Sequence, residues 1–196
     1  QIQTKFRDEP RVKSGLLRGR EFRMKDLYSF HTDNKDRDRY YEVMKMIYHR
    51  IFQRIGIKVI DTDASGGTFS ELSLEFQVIV EAGEATVFLC EKCKFGLNEE
   101  IASASRVQCP KCGGETKKEK GIEVGNIFPL KDRYARDFNL NFKDKNGEDK
   151  FVSVGCYGLG TSRLMGAIVE VFHDDKGIIW PENVSPYQIH LLNLAN

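Results

Sequence analysis

Four of the five cysteines stand in two pairs, and each pair has two residues between its members. The pairs are Cys90-Glu-Lys-Cys93 and Cys109-Pro-Lys-Cys112, and fifteen residues separate them. Zinc binds four thiolates in a tetrahedron, and two intervening residues let one turn present both sulfurs of a pair. The spacing therefore predicts a structural zinc site, because all four coordination positions are filled and none is left for a reacting water. Free thiols and disulfides are the alternatives, and the fifth cysteine, Cys156, stands alone.

A second set of reactive side chains lies near the amino terminus, in two segments that alternate as strands do. Because alternate side chains of a strand share a face, Arg7 and Glu9 should point the same way. The second segment places four more side chains on a common face: Arg20, Phe22, Met24 and Asp26. Such a surface offers a cation for phosphate, an aromatic plate for a base and carboxylates for an ammonium group. A charged sheet face with ordinary cross-strand pairs is the alternative.

A third feature is the segment Gly158-Leu-Gly-Thr-Ser-Arg163, which follows a predicted strand and opens a predicted helix. Free backbone N–H groups and an arginine at a helix start form a suitable site for phosphate. Many helices begin with Gly-x-Ser or Gly-x-Thr, and the segment lacks the third glycine of a dinucleotide-binding fingerprint. In combination with the first hairpin, however, the segment favours a shared nucleotide site.

Hydrophobic periodicity predicts the helices that would support these residues. A helix over residues 35–55 carries an apolar face at helical spacing. Its members are Val43, Met44, Ile47, Ile51 and Ile55. Asp33 or Asn34 can cap this helix, and Gly56 stands where helices commonly end. A second helix follows Arg163, with Leu164, Ile168 and Val171 or Phe172 on one face.

The remaining segments alternate or are bounded by turn residues, which predicts strands. The predicted strands cover residues 1–9, 20–30, 57–62, 75–81, 85–89, 138–143, 150–156 and 187–194. Asn146-Gly147 is a strong hairpin signal, and Gly66-Gly67 marks another turn. Since strands and helices do not alternate as in βαβ units, the fold class is predicted to be α+β, with a mostly antiparallel sheet flanked by helices.

Charge gives no argument for or against a nucleic-acid partner, because 30 basic residues face 29 acidic ones among the 196. Contacts with a nucleic acid would come from local basic clusters, either Arg18, Arg20 and Arg23 or the lysines of residues 117–120, unless these are ordinary solvated faces. No apolar run is long enough to cross a membrane, so no membrane partner is expected. The chain has no starting methionine and is expected to be a piece of a longer protein.

The first hairpin and the helix start resemble motifs 2 and 3 of class II aminoacyl-tRNA synthetases. Longer strings are similar to bacterial-type prolyl-tRNA synthetases and extend the resemblance to nearly the whole chain. They are Leu17-Arg-Gly-Arg-Glu-Phe22, Gly121-Ile-Glu-Val-Gly125, Gly155-Cys-Tyr-Gly-Leu-Gly160 and Gly177-Ile-Ile-Trp-Pro181. The resemblance implies that ATP and proline react to prolyl-adenylate, from which the prolyl group passes to tRNA(Pro). Another class II synthetase is an alternative, as is a non-catalytic module that binds tRNA or protein.

The resemblance also implies residue roles in the nucleotide site. Arg7 would hold the α-phosphate and Arg163 the γ-phosphate, which makes them the two catalytic arginines. Glu9 would meet the adenine edge, Phe22 would stack on the adenine, and Arg18 would add a phosphate or adenine contact. Magnesium would bridge the phosphates, with Glu123 as a helper.

For proline, the resemblance implies a pocket with Met24 and Phe76 as walls. Asp26 would meet the imino nitrogen, and Cys156 and Gly158 would form the floor. Two histidines of the family pattern are replaced, by Leu74 and by Asn126. Asn126 can still donate and accept hydrogen bonds in this pocket, whereas the side chain of Leu74 cannot.

The predicted organisation has four parts. They are a first catalytic part over 1–89, a zinc module over 90–118, a second catalytic part over 119–185, and the truncated start of an anticodon-binding domain over 186–196. The resemblance places motif 1 and its homodimer interface upstream of this sequence. It further implies no editing insertion, and a location in the cytoplasm, or in the mitochondrial matrix of a eukaryote.

Overall fold

The computed structural model describes residues 1–102 and 108–194. Parts of two predicted segments, 103–107 in the zinc module and 195–196 at the end, lie outside the described residues. The strands are β1 Ile2–Phe6, β2 Glu21–His31, β3 Ile60–Ser65, β4 Leu72–Ile79, β5 Ala85–Cys90, β6 Gly96–Asn98, β7 Thr116–Lys131, β8 Asn141–Lys143, β9 Asp149–Phe151, β10 Ser153–Gly160, β11 His173–Asp174 and β12 Gly177–Ile178. The helices are α1 Asn34–Ile55, α2 Arg133–Asp137 and α3 Thr161–Val171.

Eight strands form one sheet in the order β1-β2-β10-β7-β4-β3-β6-β5. The neighbours pair antiparallel except β3 and β6, which are parallel. The long strand β7 also pairs with β5 through its first residues, so that this edge of the sheet folds back onto β7. The predicted α+β class with a mostly antiparallel sheet is confirmed.

Helix α1 packs across one face of the sheet. The Asp33 side chain caps it by accepting a hydrogen bond from the Asp36 N–H at 2.8 Å, and Gly56 ends it at a φ of 86°. Its buried face consists of Met44, Tyr48 and Phe52, spaced four residues apart. The predicted helix bounds are therefore confirmed to within one residue.

The predicted apolar face of this helix is partly wrong, because Val43 and Ile47 are each 39% exposed. The prediction placed Ile47 and Ile51 on the buried face, whereas the aromatic residues that follow them, Tyr48 and Phe52, provide most of the buried surface. Phe76 of β4 has its ring centroid 5.0 Å from that of Tyr48 and 5.5 Å from that of Phe52. Aromatic contact with the sheet thus sets the rotation of α1.

Helix α3 begins directly after β10, as predicted, and buries Leu164, Ala167 and Ile168. It also holds the loop between β1 and β2 in place. A Cβ atom added to Gly166 would lie 3.0 Å from a methyl group of Leu17, which is 2% exposed. The glycine therefore lets this loop pack closely against the helix.

Several observed elements were not predicted: β6, the central strand β7, α2, β11 and β12. The strand predicted over 150–156 is divided between β9 and β10. β3 and β4 start three residues away from their predicted starts, and the Asn146-Gly147 hairpin joins the short strands β8 and β9. Residues 187–194 contain no strand, contrary to prediction, and the described part of the chain offers them no neighbouring strand to pair with. No described helix has both the length and the apolar character of a membrane span.

Candidate nucleotide cleft and cysteine cluster

One cleft lies on the sheet face opposite α1. The strands β1, β2, β7 and β10, the loop after β1 and the start of α3 all contribute to it. Its lining residues are Arg7, Glu9, Leu16, Leu17, Arg18, Gly19, Phe22, Met24, Glu123, Val124, Gly125, Asn126, Gly158, Gly160 and Arg163. The six residues that were predicted to bind ATP therefore line a single cleft together.

Sheet register explains why residues distant in sequence converge here. Gly158 of β10 pairs with Asp26 on one side and with Asn126 on the other, so all three share a face. A Cβ atom at Gly158 would lie 2.5 Å from the Met24 terminal methyl group. The absence of a side chain at this position allows Met24 to lie across the strand.

The guanidinium of Arg7 stacks on the aromatic ring that was predicted to receive adenine. Its Cζ atom lies 5.0 Å from the ring centroid of Phe22. A cation over an aromatic face is attracted by the electron density of the ring. The contact places a positive charge over one face of a flat apolar ring, and a nucleotide site needs both groups.

Glu9 and Arg18 form an ion pair at the same end of the cleft. The Arg18 Nη1 atom donates to Glu9 Oε2 at 3.0 Å, and the backbone N–H of Arg11 donates to Glu9 Oε1 at 2.8 Å. The Arg11 N–H and then the Arg18 guanidinium hold the pKa of Glu9 below its ordinary value. Glu9 is therefore a charged acceptor at neutral pH.

Glu84 is a residue of this site that the sequence reasoning missed. Its Oε2 atom accepts from Arg18 Nε at 2.5 Å, and its Oε1 atom lies 3.9 Å from Arg163 Nη2. It lies between β4 and β5, and no motif marked that segment. The signal that could have found it is the pair of arginines, which need a counter-charge in a partly buried cleft.

Asn126 and Glu123 provide polar atoms on the floor of the cleft. The Asn126 amide nitrogen donates to Glu123 Oε1 at 3.1 Å. The Asn126 carbonyl oxygen is buried and has no hydrogen-bond partner among the described residues. Since a buried acceptor without a partner costs free energy, this oxygen is available to a donor on a ligand.

Beside the cleft, on the same face of the sheet as Asn126, Glu75 forms a buried network with two amide side chains. Its Oε2 atom accepts from Gln77 Nε2 at 2.7 Å and from Asn98 Nδ2 at 3.1 Å. Burial, followed by the negative charge of Glu123, raises the pKa of Glu75 to about 7. The sequence reasoning did not identify any of these three residues.

The predicted proline residues continue along the same face beyond Met24. Asp26 is 4% exposed and pairs with Lys5 Nζ at 2.7 Å. Cys156 lies two residues before Gly158 on β10, opposite Tyr28, and burial raises the pKa of its thiol. Alternation along β1 could have predicted Lys5, because it pairs with Phe22 and thus shares its face.

The predicted contact of Phe76 with proline is contradicted by the structure. Phe76 is fully buried on the other face of the sheet, where it stacks on Tyr48 of α1. Leu74 shares that face and is 6% exposed. Since residues 74 and 76 point into the core, the replacement of a family histidine by Leu74 does not alter the cleft.

The four paired cysteines come together, with all their sulfur atoms within 4.8 Å of one another. Cys90 Sγ lies 3.5 Å from Cys112 Sγ, and Cys93 Sγ lies 3.5 Å from Cys109 Sγ. A tetrahedral zinc ion with 2.3 Å bonds to sulfur would separate its ligands by about 3.8 Å. The cluster therefore has the size of a four-thiolate metal site.

The two cysteine turns have the same backbone geometry. The N–H of Lys94 donates to the Cys90 carbonyl at 3.0 Å, and the N–H of Gly113 donates to the Cys109 carbonyl at 2.8 Å. Both donors have positive φ angles, 59° and 67°. A repeated turn of this kind places its two sulfurs on the same side, which suits a shared metal ion.

Known proteins resemble the chain in sequence and in fold. A family model described as tRNA synthetase class II core domain (G, H, P, S and T) matches residues 1–172. The proline--tRNA ligase of Ehrlichia chaffeensis is 42% identical over 209 residues, which cover 99% of this chain and 49% of that protein. The probable mitochondrial proline--tRNA ligase of Rattus norvegicus is 40% identical, with 98% of this chain and 41% of that protein covered.

The structural similarity agrees with the sequence matches. A crystal structure of prolyl-tRNA synthetase from Cryptosporidium parvum, complexed with L-proline and AMP, aligns with a TM-score of 0.71 and 16% sequence identity. The alignment covers 96% of this chain and 33% of the Cryptosporidium chain. The chain spans about half the length of the bacterial relative and a smaller share of the mitochondrial one. Because the family model covers most of the sequence, the chain belongs to the class II tRNA synthetase core family.

Proposed function

We propose that this chain is the catalytic core of a proline--tRNA ligase, which activates proline with ATP and transfers it to tRNA(Pro). The observation that carries the proposal is the convergence of Arg7, Phe22 and Arg163 on one cleft. The bacterial and mitochondrial relatives named above support proline as the amino acid.

In the first step, a carboxylate oxygen of proline attacks the α-phosphorus of ATP. A new phosphorus–oxygen bond forms, the bond to the bridging oxygen breaks, and pyrophosphate leaves. Arg7 would neutralise charge on the α-phosphate, and Arg163 would hold the γ-phosphate end. Such preorganised charges lower the barrier because they need not reorient as the reaction proceeds.

The adenosine part of ATP would lie against Phe22, with Glu9 as an acceptor for the adenine amino group. Arg18 would support this end through its pair with Glu9. Glu123 fits a magnesium ion, because its carboxylate lines the cleft and oxygen atoms are the ligands that magnesium prefers. Magnesium, when bound, would supply additional charge neutralisation to the phosphates.

Proline would occupy the part of the cleft beyond Met24. Asp26 would receive its imino nitrogen, in place of the Lys5 cation that pairs with it. Asn126 offers an acceptor for the same end of the substrate, and Gly158 and Cys156 would form the floor. Phe76 is excluded from this pocket by its burial against α1.

The cysteine cluster is proposed to hold structural zinc. All four sulfurs would be ligands, so no position would remain for a reacting water. We also infer a homodimer and a cytoplasmic or mitochondrial location for the full-length protein, together with the four-part organisation given above.

Proline-dependent exchange of pyrophosphate into ATP on the full-length protein tests the proposed activity. Exchange with proline, and none with threonine, serine or glycine, is the expected result. Exchange with one of those amino acids instead would indicate another member of the class. Retained tRNA binding without any exchange would support a non-catalytic binding module.

A further inference from the structure

Glu84 contacts two arginines of the cleft, Arg18 beside Glu9 and Arg163 at the end assigned to the γ-phosphate. Its carboxylate is only 8% exposed, and it contacts Arg18 at 2.5 Å and Arg163 at 3.9 Å. In the described part of the chain, it is the carboxylate that lies within 4.0 Å of both guanidinium groups. Arg18 comes from the loop after β1 and Arg163 from the start of α3, so Glu84 joins opposite walls of the cleft.

The backbone on either side fixes the position of this carboxylate. The N–H of Gly83 donates to the Val80 carbonyl at 3.0 Å, which closes a tight turn between β4 and β5. A Cβ atom on Gly83 would lie 2.3 Å from the backbone nitrogen of Gly121. Because the turn rests directly on β7, the backbone of Glu84 cannot move away from the arginines without a shift of the sheet.

The two arginines are held to different degrees. Arg18 has two carboxylate partners, Glu84 and Glu9, at hydrogen-bonding distance. Arg163, in contrast, has a buried Nε atom without a hydrogen-bond partner among the described residues, and Glu84 Oε1 also has none. The 3.9 Å contact of Arg163 Nη2 with Glu84 Oε1 is an electrostatic attraction rather than a hydrogen bond.

We propose that Glu84 is a positioning residue for the triphosphate, and this rests on the proposed function. It anchors Arg18 by a direct hydrogen bond and draws Arg163 toward the cleft. The hydrogen-bond donors of Arg163 thereby stay free for an anionic ligand. Without the carboxylate, the two guanidinium groups would repel each other, and Arg163 would lose its fixed place before ATP arrives.

The variant Glu84→Gln in the full-length protein tests this role, because it keeps the shape of the side chain and removes its charge. The dissociation constants of a non-hydrolysable ATP analogue and of AMP are measured by calorimetry. We expect a loss of about tenfold or more for the ATP analogue, and a clearly smaller loss for AMP, which lacks the outer phosphates. In pyrophosphate exchange, the KM for ATP should rise while the KM for proline stays within about twofold.

Glu84→Asp is the second variant, because it keeps the charge but shortens the reach by one methylene. An intermediate loss for the ATP analogue is expected. Glu81→Gln is the matched control, since Glu81 is an exposed carboxylate of the same turn, and it should bind both nucleotides like the wild type.

Equal losses for the ATP analogue, AMP and proline in Glu84→Gln would show a general structural role and overturn the proposal. Unchanged binding of the ATP analogue would overturn it as well. A wild-type protein that binds the ATP analogue but gives no proline-dependent exchange would contradict the proposed function. The nucleotide dissociation constants of the variants would still test the role of Glu84.

Discussion

The Asn98 side chain donates a hydrogen bond to the Glu75 carboxylate over 3.1 Å, and this bond joins the cysteine cluster to the cleft. Asn98 ends β6, which begins three residues after Cys93. Glu75 lies in β4 beside the candidate nucleotide cleft, where it pairs with Asn126 of β7. The strand that follows the first cysteine turn therefore also places a hydrogen-bond donor against a buried carboxylate of the eight-stranded sheet.

Removal of the metal should loosen one edge of the sheet without unfolding the chain. Chelation, or the variant Cys93→Ser, is expected to speed amide hydrogen exchange across residues 86–118, because the thiolates would no longer hold the two turns together. Amides of α1 and β10 should stay protected. Mass spectrometry of exchanged peptides gives the measurement.

Cys156→Ser is the control for that experiment, since Cys156 lies on β10 away from the cluster and its loss should leave the metal content unchanged. A uniform rise in exchange across the whole sheet after chelation would contradict the expectation. It would mean that the cluster supports the entire core.

The stability of the chain should depend on the ionisation of Glu75. Burial raises the pKa of Glu75 to about 7 from an ordinary value of 4.5, so the folded state keeps a proton that the unfolded state releases. The free energy of unfolding should therefore fall as pH rises from about 5 to about 8, by roughly 2 kcal/mol from this group. Urea denaturation at several pH values measures the slope.

Glu75→Gln should flatten that slope, because glutamine does not titrate. Glu71→Gln removes an exposed carboxylate close by in sequence and should leave the slope as it is. Identical slopes in the wild type and Glu75→Gln would mean that Glu75 ionises as freely in the fold as outside it.

Arg7→Ala and Arg163→Ala should each slow adenylate formation by a hundredfold or more. This corresponds to about 3 kcal/mol for each preorganised charge. Pyrophosphate exchange on the full-length variants is the measurement. Arg39→Ala serves as the control, because Arg39 lies on α1 outside the cleft and is 81% exposed. Near-normal rates in both cleft variants would argue against their assigned roles.

Gly158→Ala should weaken proline binding more than ATP binding. The added methyl group would displace the Met24 methyl, which is 2.5 Å from the ideal Cβ position, into the cleft. Because that methyl is the free end of a flexible side chain, the fold should tolerate the change with a small shift in melting temperature. We expect the KM for proline to rise at least about tenfold with a nearly unchanged KM for ATP. Equal increases in both values would refute a local effect.

The most accurate predictions from the sequence concern features that depend on the spacing of neighbouring residues. The two Cys-x-x-Cys turns, the cap and end of α1, and the start of α3 after Gly160 all follow from a few neighbouring residues. The shared cleft of Arg7 and Arg163 was also predicted, first from the hairpin and the helix start in combination and then from the resemblance. In the structure, β2 pairs with β10, and this pairing brings the start of α3 next to the first hairpin.

What depends on register and on distant contacts was not predicted. The side to which Phe76 points is set by its contacts with α1, which a single strand pattern does not reveal. In β7, the pairing shifts between the partners of Phe76 and Gln77, so alternation cannot be extrapolated past that point. Glu84 was missed because it is defined by partners on another loop and helix, whereas Lys5 follows from the alternation along β1 that also places Arg7.

The sixteen-residue strand β7 limits how the cysteine segment could be exchanged in a chimaera. Its first residue pairs with Cys90, and its last residues pair with β10 beside the cleft. A junction at residue 118, the end of the predicted zinc module, would therefore cut β7. A successful graft would have to include a strand that pairs with residues 116–120. Without such a strand, β7 would lose its hydrogen bonds from that junction toward the floor of the cleft.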